Sequence, residues 1–311
     1  MHPHSPNAYL ISGLIVRSEI VLPGMIPAAP GAAPDVTIGS GIVPHALDLA
    51  LECGPTWQRG ARQFLLHLPS IGRFLIEDGA RISVDPADCA TDQDVAAILV
   101  VCVLGLLFQQ RGLVVLRASA VETGGRAMLF CGPSGAGKSF LAAALDAAGH
   151  RFVADDLCVV TVDGQGRALV SPDSAGLRLW WLAIRALGLE DRRGAKLRQA
   201  LEKFHVRPSA ACAMPLPIGC AYLLAEDRHG DSTAIDPVAI AQSALMLGGN
   251  AFRPALVEQM KQGKPYFLAN AAIARAGGVF TLRRPLNLKR TDTVVAALED
   301  HWTGLADRSA A

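Results

Sequence analysis

The sequence predicts an α/β protein with a small, β-rich N-terminal domain and a larger domain built around a phosphate-binding loop. The first observation is the stretch GPSGAGKS at 132–139, which has two glycines flanking four residues, then Lys and Ser. The second is its context, because an apolar run at 127–131 predicts a buried strand and an alanine- and leucine-rich run at 140–148 predicts a helix. The third is a series of short β-rich runs within the first 90 residues.

The N-terminal domain is predicted to be mostly antiparallel sheet, because Asp78-Gly79 is a two-residue hairpin signal between two β-rich runs. A polar stretch at 85–94 marks the expected boundary. The predicted domains are therefore residues 1–90, the small β-rich domain, and residues 91–311, the phosphate-loop domain. The β-rich runs of the N-terminal domain lie at 9–22, 35–39 and 63–84.

The phosphate-loop domain is predicted to contain both strands and helices. A core helix at 96–110 comes first, and a strand at 113–122 then leads towards the strand that precedes the loop. The expected elements after the loop and its helix are a hairpin at 159–170, a strand at 219–224, a helical region at 236–260, a strand at 279–282 and a final helix at 291–302.

The loop residues predict a site for nucleotide phosphates and Mg²⁺. Glycines allow successive backbone N–H groups to turn inward as an anion-binding nest, and the helix start adds its positive dipole end. Lys138 can reach the β- and γ-phosphates as a point charge, and Ser139 can offer its hydroxyl to Mg²⁺. The predicted nucleotide-binding residues of the loop are Gly132, Pro133, Ser134, Gly135, Ala136, Gly137, Lys138 and Ser139.

Two adjacent carboxylates, Asp155 and Asp156, close a short β-rich run at 152–154. A helix of about ten residues after the loop carries the chain roughly 15 Å away, and about four extended residues return it by roughly 13 Å. The pair is therefore predicted to lie near the loop, as a metal-orienting carboxylate and a general base for an attacking hydroxyl. Both can act only if the strand ends there, because adjacent strand residues point to opposite faces. The alternative is a polar strand end that only caps a turn.

The composition favours a protein without nucleic-acid or membrane partners. The formal net charge is +1 and 51% of the residues are hydrophobic, so no global charge asymmetry points to either partner. The seven cysteines form no CxxC pair and several lie in apolar runs, which predicts buried thiols in a reducing cytoplasm. The N-terminus shows no signal-peptide pattern. The apolar run at 95–108 is shorter than a bilayer span and predicts a buried helix.

Residues 178–207 carry eight Lys and Arg side chains against three acidic ones. A charge run of this kind is most often a solvated helix face. The alternatives are a docking surface for an acidic or phosphorylated partner and contacts to ATP phosphates. Arg178 is the best candidate for a phosphate contact, because it closely follows the hairpin after the aspartates.

These features resemble the HPr kinase/phosphorylase superfamily, and most of all its HPr-kinase-like branch, which includes kinases of lasso-peptide precursors. The resemblance lies in the loop, in the short distance from Lys138 to Asp155-Asp156, and in the Val-Ala-Asp-Asp stretch at 153–156. Most phosphate-loop proteins place their acidic strand much further along the chain. Further similar stretches are Gln110-Arg111-Gly112, Ala118-Ser119-Ala120-Val121, Arg178-Leu179-Trp180, VFTLRRP at 279–285 and GLIVRSEIVLPGM at 13–25.

The resemblance implies a kinase domain of the HPr kinase type, with a mixed sheet flanked by helices, and an Mg-ATP-dependent serine kinase activity. It implies that Lys138 and the loop amides hold the phosphates of ATP, and that Ser139 and Asp156 hold Mg²⁺. Asp155 would be the base, supported by Asp156. The expected acceptor is a serine of a peptide or small protein, which in the lasso-linked members is the C-terminal serine of the precursor. Homo-oligomerisation is a further expectation, because HPr-directed relatives form rings.

Arg117 departs from the family pattern, which usually has His at this position just before Ala118. An arginine there can stabilise charge on the transferring group, but it cannot relay a proton because it stays ionised. Arg117 therefore motivates an alternative function, a nucleotide-binding regulator without phosphotransfer. An HPr-type regulatory kinase/phosphorylase is a further alternative, although the second signature segment of HPr-directed enzymes is not found. A small-molecule kinase, or an enzyme similar to phosphoenolpyruvate carboxykinase, ranks last, because no additional metal-ligand cluster is visible.

Overall fold

The computed structural model describes residues 7–173, 176–227, 232–285 and 288–310. These residues form a mixed α/β fold with two nine-stranded sheets, one three-stranded sheet and helices packed against them. The predicted α/β class is confirmed at this level.

The N-terminal sheet agrees with its prediction. Asp78 and Gly79 form the predicted hairpin turn, and both have positive φ, at 56° and 61°, as a two-residue turn requires. The strands are β1 (Asn7–Ile11), β2 (Leu14–Ser18), β3 (Ile26–Pro27), β4 (Val36–Ser40), β5 (Glu52–Gly54), β6 (Trp57–Arg59), β7 (Gln63–Leu68), β8 (Gly72–Glu77) and β9 (Arg81–Pro86). Their order across the sheet is β3-β1-β2-β4-β9-β8-β7-β6-β5, and only the β2–β4 and β4–β9 pairs are parallel.

A continuous helical segment, Asp92–Gln110, follows this sheet. It consists of α1 (Asp92–Ile98), a π-helical stretch (Leu99–Val103) and α2 (Leu104–Gln110), and the Thr91 side chain caps its start by accepting from the Asp94 N–H. The segment is long and apolar enough to cross a membrane by length and composition, but most of it is buried inside the protein. It is the predicted core helix, extended by four residues at its start.

One apolar core joins the N-terminal sheet to this helix. Buried side chains of Phe74 and Val84 from the sheet, Leu99 and Phe108 from the helix, and Phe252 from later in the chain belong to a single cluster. The core therefore continues across the boundary predicted at residue 90. The division into domains 1–90 and 91–311 stays a prediction.

The remaining strands form a central sheet and a small sheet. They are β10 (Val114–Leu116), β11 (Ala118–Thr123), β12 (Arg126–Cys131), β13 (Arg151–Ala154), β14 (Cys158–Val162), β15 (Ala168–Val170), β16 (Leu177–Trp180), β17 (Arg193–Lys196), β18 (Lys203–Val206), β19 (Leu216–Asp227), β20 (Ala234–Pro237) and β21 (Val279–Pro285). The central order is β10-β14-β15-β19-β12-β11-β13, with β21 beside β19 and β20 beside β21. β19 is parallel to β12 and to β21, and the other pairs are antiparallel, so the sheet is mixed.

Helices cover both faces of the central sheet at β12. Met128 and Phe130 share a core with α3 and α8, whereas Ala127 and Leu129 share a core with α7. This explains why the strand before the loop is an unbroken apolar run. The helices after α2 are α3 (Lys138–Ala147), α4 (Trp181–Ala186), α5 (Ile240–Gly248), α6 (Pro254–Gln259), α7 (Gly263–Ala276) and α8 (Thr291–Ala310), and two 3₁₀ turns lie at Glu190–Arg192 and Leu288–Arg290.

The basic segment at 178–207 is mainly a sheet, so its interpretation as a solvated helix face is wrong. β16, β18 and β17 form a three-stranded antiparallel sheet, and only the short α4 is α-helical. Phe204 and Val206 of β18 alternate with Lys203 and His205, and the apolar pair packs into the core shared with α3. Every second side chain of β18 is buried, as in a strand with one face against a core. This part of the segment therefore does not form a charged helical face.

Candidate active site

The phosphate-loop stretch lies between β12, which ends at Cys131, and α3, which begins at Lys138. Gly135 and Gly137 have φ of 87° and 81°, in the left-handed region that favours glycine. Gly137 leads directly into α3, whose first backbone N–H groups have no partner within the helix. The strand–loop–helix arrangement is the predicted one, and phosphate binding by it stays a prediction. Pro133, Ser134 and Gly135 are exposed, while Gly132 and Ala136 are buried.

Arg284, on β21, contacts the loop directly. Its Nη2 atom donates a hydrogen bond to the carbonyl oxygen of Ala136 at 2.7 Å, and the residue is buried. A Cβ atom at Gly137 would displace this guanidinium, and the left-handed φ of Gly137 favours glycine in any case. The contact depends on the pairing of β21 with β19 beside the loop strand, and no local pattern around Arg284 indicates it.

Lys138 is almost fully buried, with 6% of its surface exposed. Its Nζ atom donates hydrogen bonds to the carbonyl oxygens of Gly132 and Pro133, both at 2.9 Å. Burial lowers the pKa of the ammonium group, and the charges of Asp156 and Asp155 offset this effect only in part. The ammonium group is thus held within its own loop, beside the amides that are predicted to bind phosphate.

Asp155 is the centre of a buried hydrogen-bond network. It follows β13, which ends at Ala154, and it is fully buried. The hydroxyl groups of Ser139 and Ser119 each donate a hydrogen bond to Asp155 Oδ1 at 2.7 Å. The backbone N–H of Arg178 donates to Asp155 Oδ2 at 3.1 Å. The chain therefore returns to the loop as predicted, and the loop serine binds the strand-end carboxylate.

Arg178 and Asp173 complete this network. Arg178 Nη2 donates to the Asp155 carbonyl oxygen at 2.8 Å and to Asp173 Oδ2 at 3.0 Å, and the Asp155 N–H donates to Asp173 Oδ1 at 3.3 Å. Burial lowers the pKa of the Arg178 guanidinium, but Asp173, Asp155 and Asp156 outweigh burial and raise the pKa. Arg178 Nη1 is buried and has no hydrogen-bond partner within the described ranges. Arg178 thus orients Asp155, and its direct contact with nucleotide stays a prediction.

Asp156 differs from Asp155 in exposure and in contacts. It has φ of 78°, a left-handed value that Asp tolerates better than most residues, and it is only partly buried. Its carboxylate accepts no hydrogen bond from the residues that the structure describes. Among the charges that act on the Lys138 ammonium group, that of Asp156 is the strongest, which shows that it is close to the loop. Because β13 ends at Ala154, the condition for both carboxylates to act at one site is met.

Arg117 lies between β10 and β11, close to the loop. Its backbone N–H donates to the Asn250 carbonyl oxygen at 2.7 Å, and its guanidinium carbon lies 5.7 Å from the centre of the Phe252 ring. Burial is the main cause that lowers the pKa of Lys138, and the positive charge of Arg117 lowers this pKa further. The cation is therefore near enough to act on charged groups at the loop.

The oxygen atoms of Ser139 and Asp155 are hard donors that suit Mg²⁺. No group of three or more His, Cys, Asp or Glu side chains that could hold a metal ion occurs in the described residues. Mg²⁺ in phosphate-transfer sites uses one or two carboxylates and takes its other ligands from phosphates and water, so these residues fit it without such a group.

Sequence reasoning missed the site roles of Ser119, Asp173 and Arg284. Ser119 lies within an apolar strand, and the family resemblance of the stretch at 118–121 implies no role for its hydroxyl group. Asp173 follows β15 in a loop, and no spacing rule relates it to the paired aspartates. A buried polar residue inside an apolar strand is the signal that could have identified Ser119.

A cavity of about 640 Å³ lies away from this site. Arg126, the first residue of β12, and His150, three residues after the end of α3, both line it. The phosphate loop lies at the opposite ends of the same two elements, so the cavity is not part of the candidate active site.

No protein-family model matches the chain, and no curated protein matches it. Among solved structures, the chain is similar to the Hpr(Ser) kinase/phosphatase from Coxiella burnetii, with 11% sequence identity and a TM-score of 0.34. The match covers 63% of this chain and 94% of that one. A similarity of this size assigns no activity, so function has to be argued from the geometry of the loop and the aspartates.

Proposed function

We propose that the chain is an Mg-ATP-dependent kinase that transfers the γ-phosphate to a serine hydroxyl of a peptide or small protein. The observation that supports this best is the 2.7 Å hydrogen bond between Ser139 Oγ and Asp155 Oδ1. It joins the residue that follows the loop lysine to a carboxylate at a strand end, which is the pairing that holds Mg²⁺ beside phosphates in phosphate-loop enzymes.

The loop would bind and orient ATP. Its backbone N–H groups hold the β- and γ-phosphates, and the Lys138 ammonium group exchanges the Gly132 and Pro133 carbonyl oxygens for phosphate oxygens. Ser139 and Asp155 are the protein oxygens that would hold Mg²⁺, which when bound neutralises phosphate charge. Arg117 lies where its fixed cation can stabilise charge on the transferring group.

Asp156 is the better candidate for the general base, in place of Asp155. The Asp155 carboxylate is fully buried and already accepts three hydrogen bonds, whereas that of Asp156 is partly exposed and accepts none among the described residues. In the proposed step the serine oxygen forms a bond to the γ-phosphorus, the bond from that phosphorus to the β–γ bridging oxygen breaks, and the serine proton moves to Asp156.

The identity of the acceptor is a finer proposal. The C-terminal serine of a lasso-peptide precursor is the first candidate, on the sequence resemblance alone. An HPr-type regulatory kinase/phosphorylase is the alternative within the same chemistry. A cytoplasmic location, the absence of nucleic-acid and membrane partners, and homo-oligomerisation stay predictions.

Mass spectrometry of co-encoded peptides and small proteins after incubation with Mg-ATP tests the proposal. We expect a mass gain of one phosphate on a serine, and no gain with Lys138→Ala under the same conditions. The exposed Lys264→Ala variant is the matched control and should phosphorylate normally. Phosphate on the acceptor that persists with Lys138→Ala would refute the assignment of the loop.

A nucleotide-binding regulator without phosphotransfer is the second candidate, and Arg117 favours it. Arginine stays ionised, so it cannot supply the proton relay that a histidine at this position would allow. Saturable binding of Mg-ATP, with no phosphate transferred to any candidate acceptor and no restored transfer in Arg117→His, would favour this function over the kinase.

A further inference from the structure

A cavity of about 300 Å³ lies between the three-stranded sheet and the loop that contains Gly24 of the N-terminal part. Its wall includes Gly176, just before β16, and His205 of β18. In the antiparallel pairing of these strands, Arg178 and His205 are directly opposite, so their side chains share one face of the small sheet. Arg178 also holds Asp155, so this face of the small sheet carries a residue of the proposed active site.

The basic residues of the segment at 178–207 fall into two groups. Four of them pair with carboxylates: Arg178 with Asp173, Arg192 with Asp146, Lys196 with Glu202, and Arg198 with Asp94. The others have no carboxylate partner within the described ranges, and they are Arg185, Arg193, Lys203 and Arg207.

Two of the unpaired residues, Arg193 and Arg207, line the cavity and are exposed. The guanidinium carbon of Arg193 lies 4.9 Å from the centre of the Trp181 ring and 5.2 Å from that of Phe204, which restrains the side chain. Asp191 is the acidic residue of the lining. The Arg193 guanidinium thus lies on the Phe204 face of the small sheet, and the lining as a whole has three arginines, including Arg192 paired with Asp146, against one carboxylate.

His205 adds no charge to the cavity near neutral pH. Burial, followed by the positive charges of Arg178 and Lys203, lowers the pKa of its imidazole to about 4. Gly24, with φ of +76°, lies against this ring, and a Cβ atom there would be 3.1 Å from the ring Nδ1 atom. The N-terminal part therefore forms one wall of the cavity.

The N-terminal part also holds the segment that carries Asp173. The Ser12 backbone N–H donates a hydrogen bond to the carbonyl oxygen of Pro172 at 2.9 Å. Asp173 follows at once and binds Arg178. The β1–β2 turn thus holds the segment that carries Asp173.

We propose that this cavity binds acidic side chains of the acceptor peptide next to the serine that is phosphorylated, an inference that rests on the proposed kinase function. Guanidinium groups bind carboxylates with paired hydrogen bonds, so a lining with exposed arginines and one carboxylate recognises an acidic peptide better than a neutral one. His205 of the cavity wall pairs with Arg178, which holds Asp155, and this pairing is the reason for placing the acceptor serine beside the cavity.

Peptide binding tests the proposal without depending on catalysis. The probes are a fluorescein-labelled decapeptide with one serine flanked by four glutamates and its counterpart with four glutamines, followed by fluorescence anisotropy at low salt. We expect about tenfold tighter binding of the glutamate peptide by the unmodified protein. This preference should disappear in the Arg193→Gln/Arg207→Gln variant and should increase in Asp191→Asn.

The controls separate the cavity from other anion sites. Arg185→Gln removes an exposed, unpaired arginine of α4 outside the cavity and should leave the preference unchanged. Lys138→Ala should also leave it unchanged, because the phosphate loop is a different anion site. If the double variant does not fold, Arg207→Gln alone can be used, because it keeps the Arg193 contact with Trp181 and Phe204. This single variant should lose part of the preference.

Equal binding of the two peptides by the unmodified protein, or a preference that survives in the double variant, would overturn the inference. Binding of a ten-nucleotide single-stranded DNA at least as tight as that of the glutamate peptide would do so too, because it would show a general polyanion site. If the cavity prefers the glutamate peptide but no serine accepts phosphate from Mg-ATP, the proposed kinase function fails while the binding site stands.

Discussion

At the scale of single residues, the adjacent Asp155 and Asp156 differ in burial and in contacts. Asp155 follows β13 in the core, where two hydroxyl groups and one backbone N–H donate hydrogen bonds to its carboxylate. Asp156 enters the left-handed region and turns away, which leaves its carboxylate partly exposed. Substituting the two residues should therefore have different effects on stability.

Asp156→Asn should lower transfer strongly and leave the fold intact. Asn tolerates the left-handed φ of this position and keeps the size of the side chain, but it cannot accept the serine proton. We expect kcat to fall by about 10² to 10⁴ with little change in the thermal midpoint, measured by phosphotransfer kinetics and calorimetry. By comparison, Asp155→Asn places an amide N–H₂ group where hydroxyl and backbone donors now bind the carboxylate. It should therefore lower the free energy of unfolding by about 1–3 kcal/mol. Full activity in Asp156→Asn would refute its role as the base.

Lys138→Met should stabilise the protein at pH 7 while abolishing Mg-ATP binding. Burial lowers the pKa of Lys138 in the folded state, so below that pKa the folded protein carries an unfavourable buried charge that Met lacks. We expect a gain of about 1 kcal/mol in urea unfolding at pH 7. The gain should shrink as the pH rises towards 10.5, because the unmodified lysine loses its proton in the folded state first. Lys264→Met, at an exposed position, should change neither quantity.

At the scale of elements, β18 carries a pH-sensitive contribution to stability through His205. Its pKa is lowered to about 4 in the folded state from an ordinary 6.5, so the unfolded chain takes up the proton first as the pH falls. Stability from this group is complete above pH 6.5 and is lost between about pH 6.5 and 4. Between pH 8 and pH 5 the loss from this group should be about 2 kcal/mol.

His205→Gln should therefore flatten the pH dependence of stability. We expect the difference in the free energy of unfolding between pH 8 and pH 5 to be smaller in the variant by about 2 kcal/mol, measured by urea titration. His45→Gln, at an exposed site of the N-terminal part, is the comparison that should keep the difference of the unmodified protein. An unchanged difference in His205→Gln would show that the imidazole is protonated equally in both states.

At the scale of the whole molecule, the shared core predicts one cooperative unfolding transition. Phe108 of α2 is 2% exposed and packs in the cluster that also contains N-terminal sheet residues. Phe108→Ala should lower the free energy of unfolding by about 3–5 kcal/mol and shift a single calorimetric peak as a whole. Leu49→Ala, at a residue 84% exposed, should have little effect. Two separate peaks, only one of which moves, would instead support independent domains at the predicted boundary.

Local sequence patterns determined the elements that surround the site. The glycine spacing, the loop lysine and serine, and the apolar runs on either side predict the strand, the turn and the helix, because these depend on backbone conformation and burial within a few residues. The return to Asp155 follows from helix rise and strand length, since both are set by covalent geometry. The Asp78-Gly79 hairpin was predictable for the same reason.

Only the tertiary structure decided how the two aspartates differ in burial and contacts, and that the basic segment is mainly a sheet. Ser119 and Arg284 reach the site through strand pairings between distant parts of the chain, which no local pattern encodes, whereas Asp173 reaches it through its ion pair with Arg178. The segment at 178–207 has the charge of a solvated helix, but burial of alternate residues on β18 against the core shared with α3 makes it a sheet. Pairing with distant carboxylates then decides which of its arginines lack a carboxylate partner among the described residues. An ion pair depends on position in space rather than on separation along the chain.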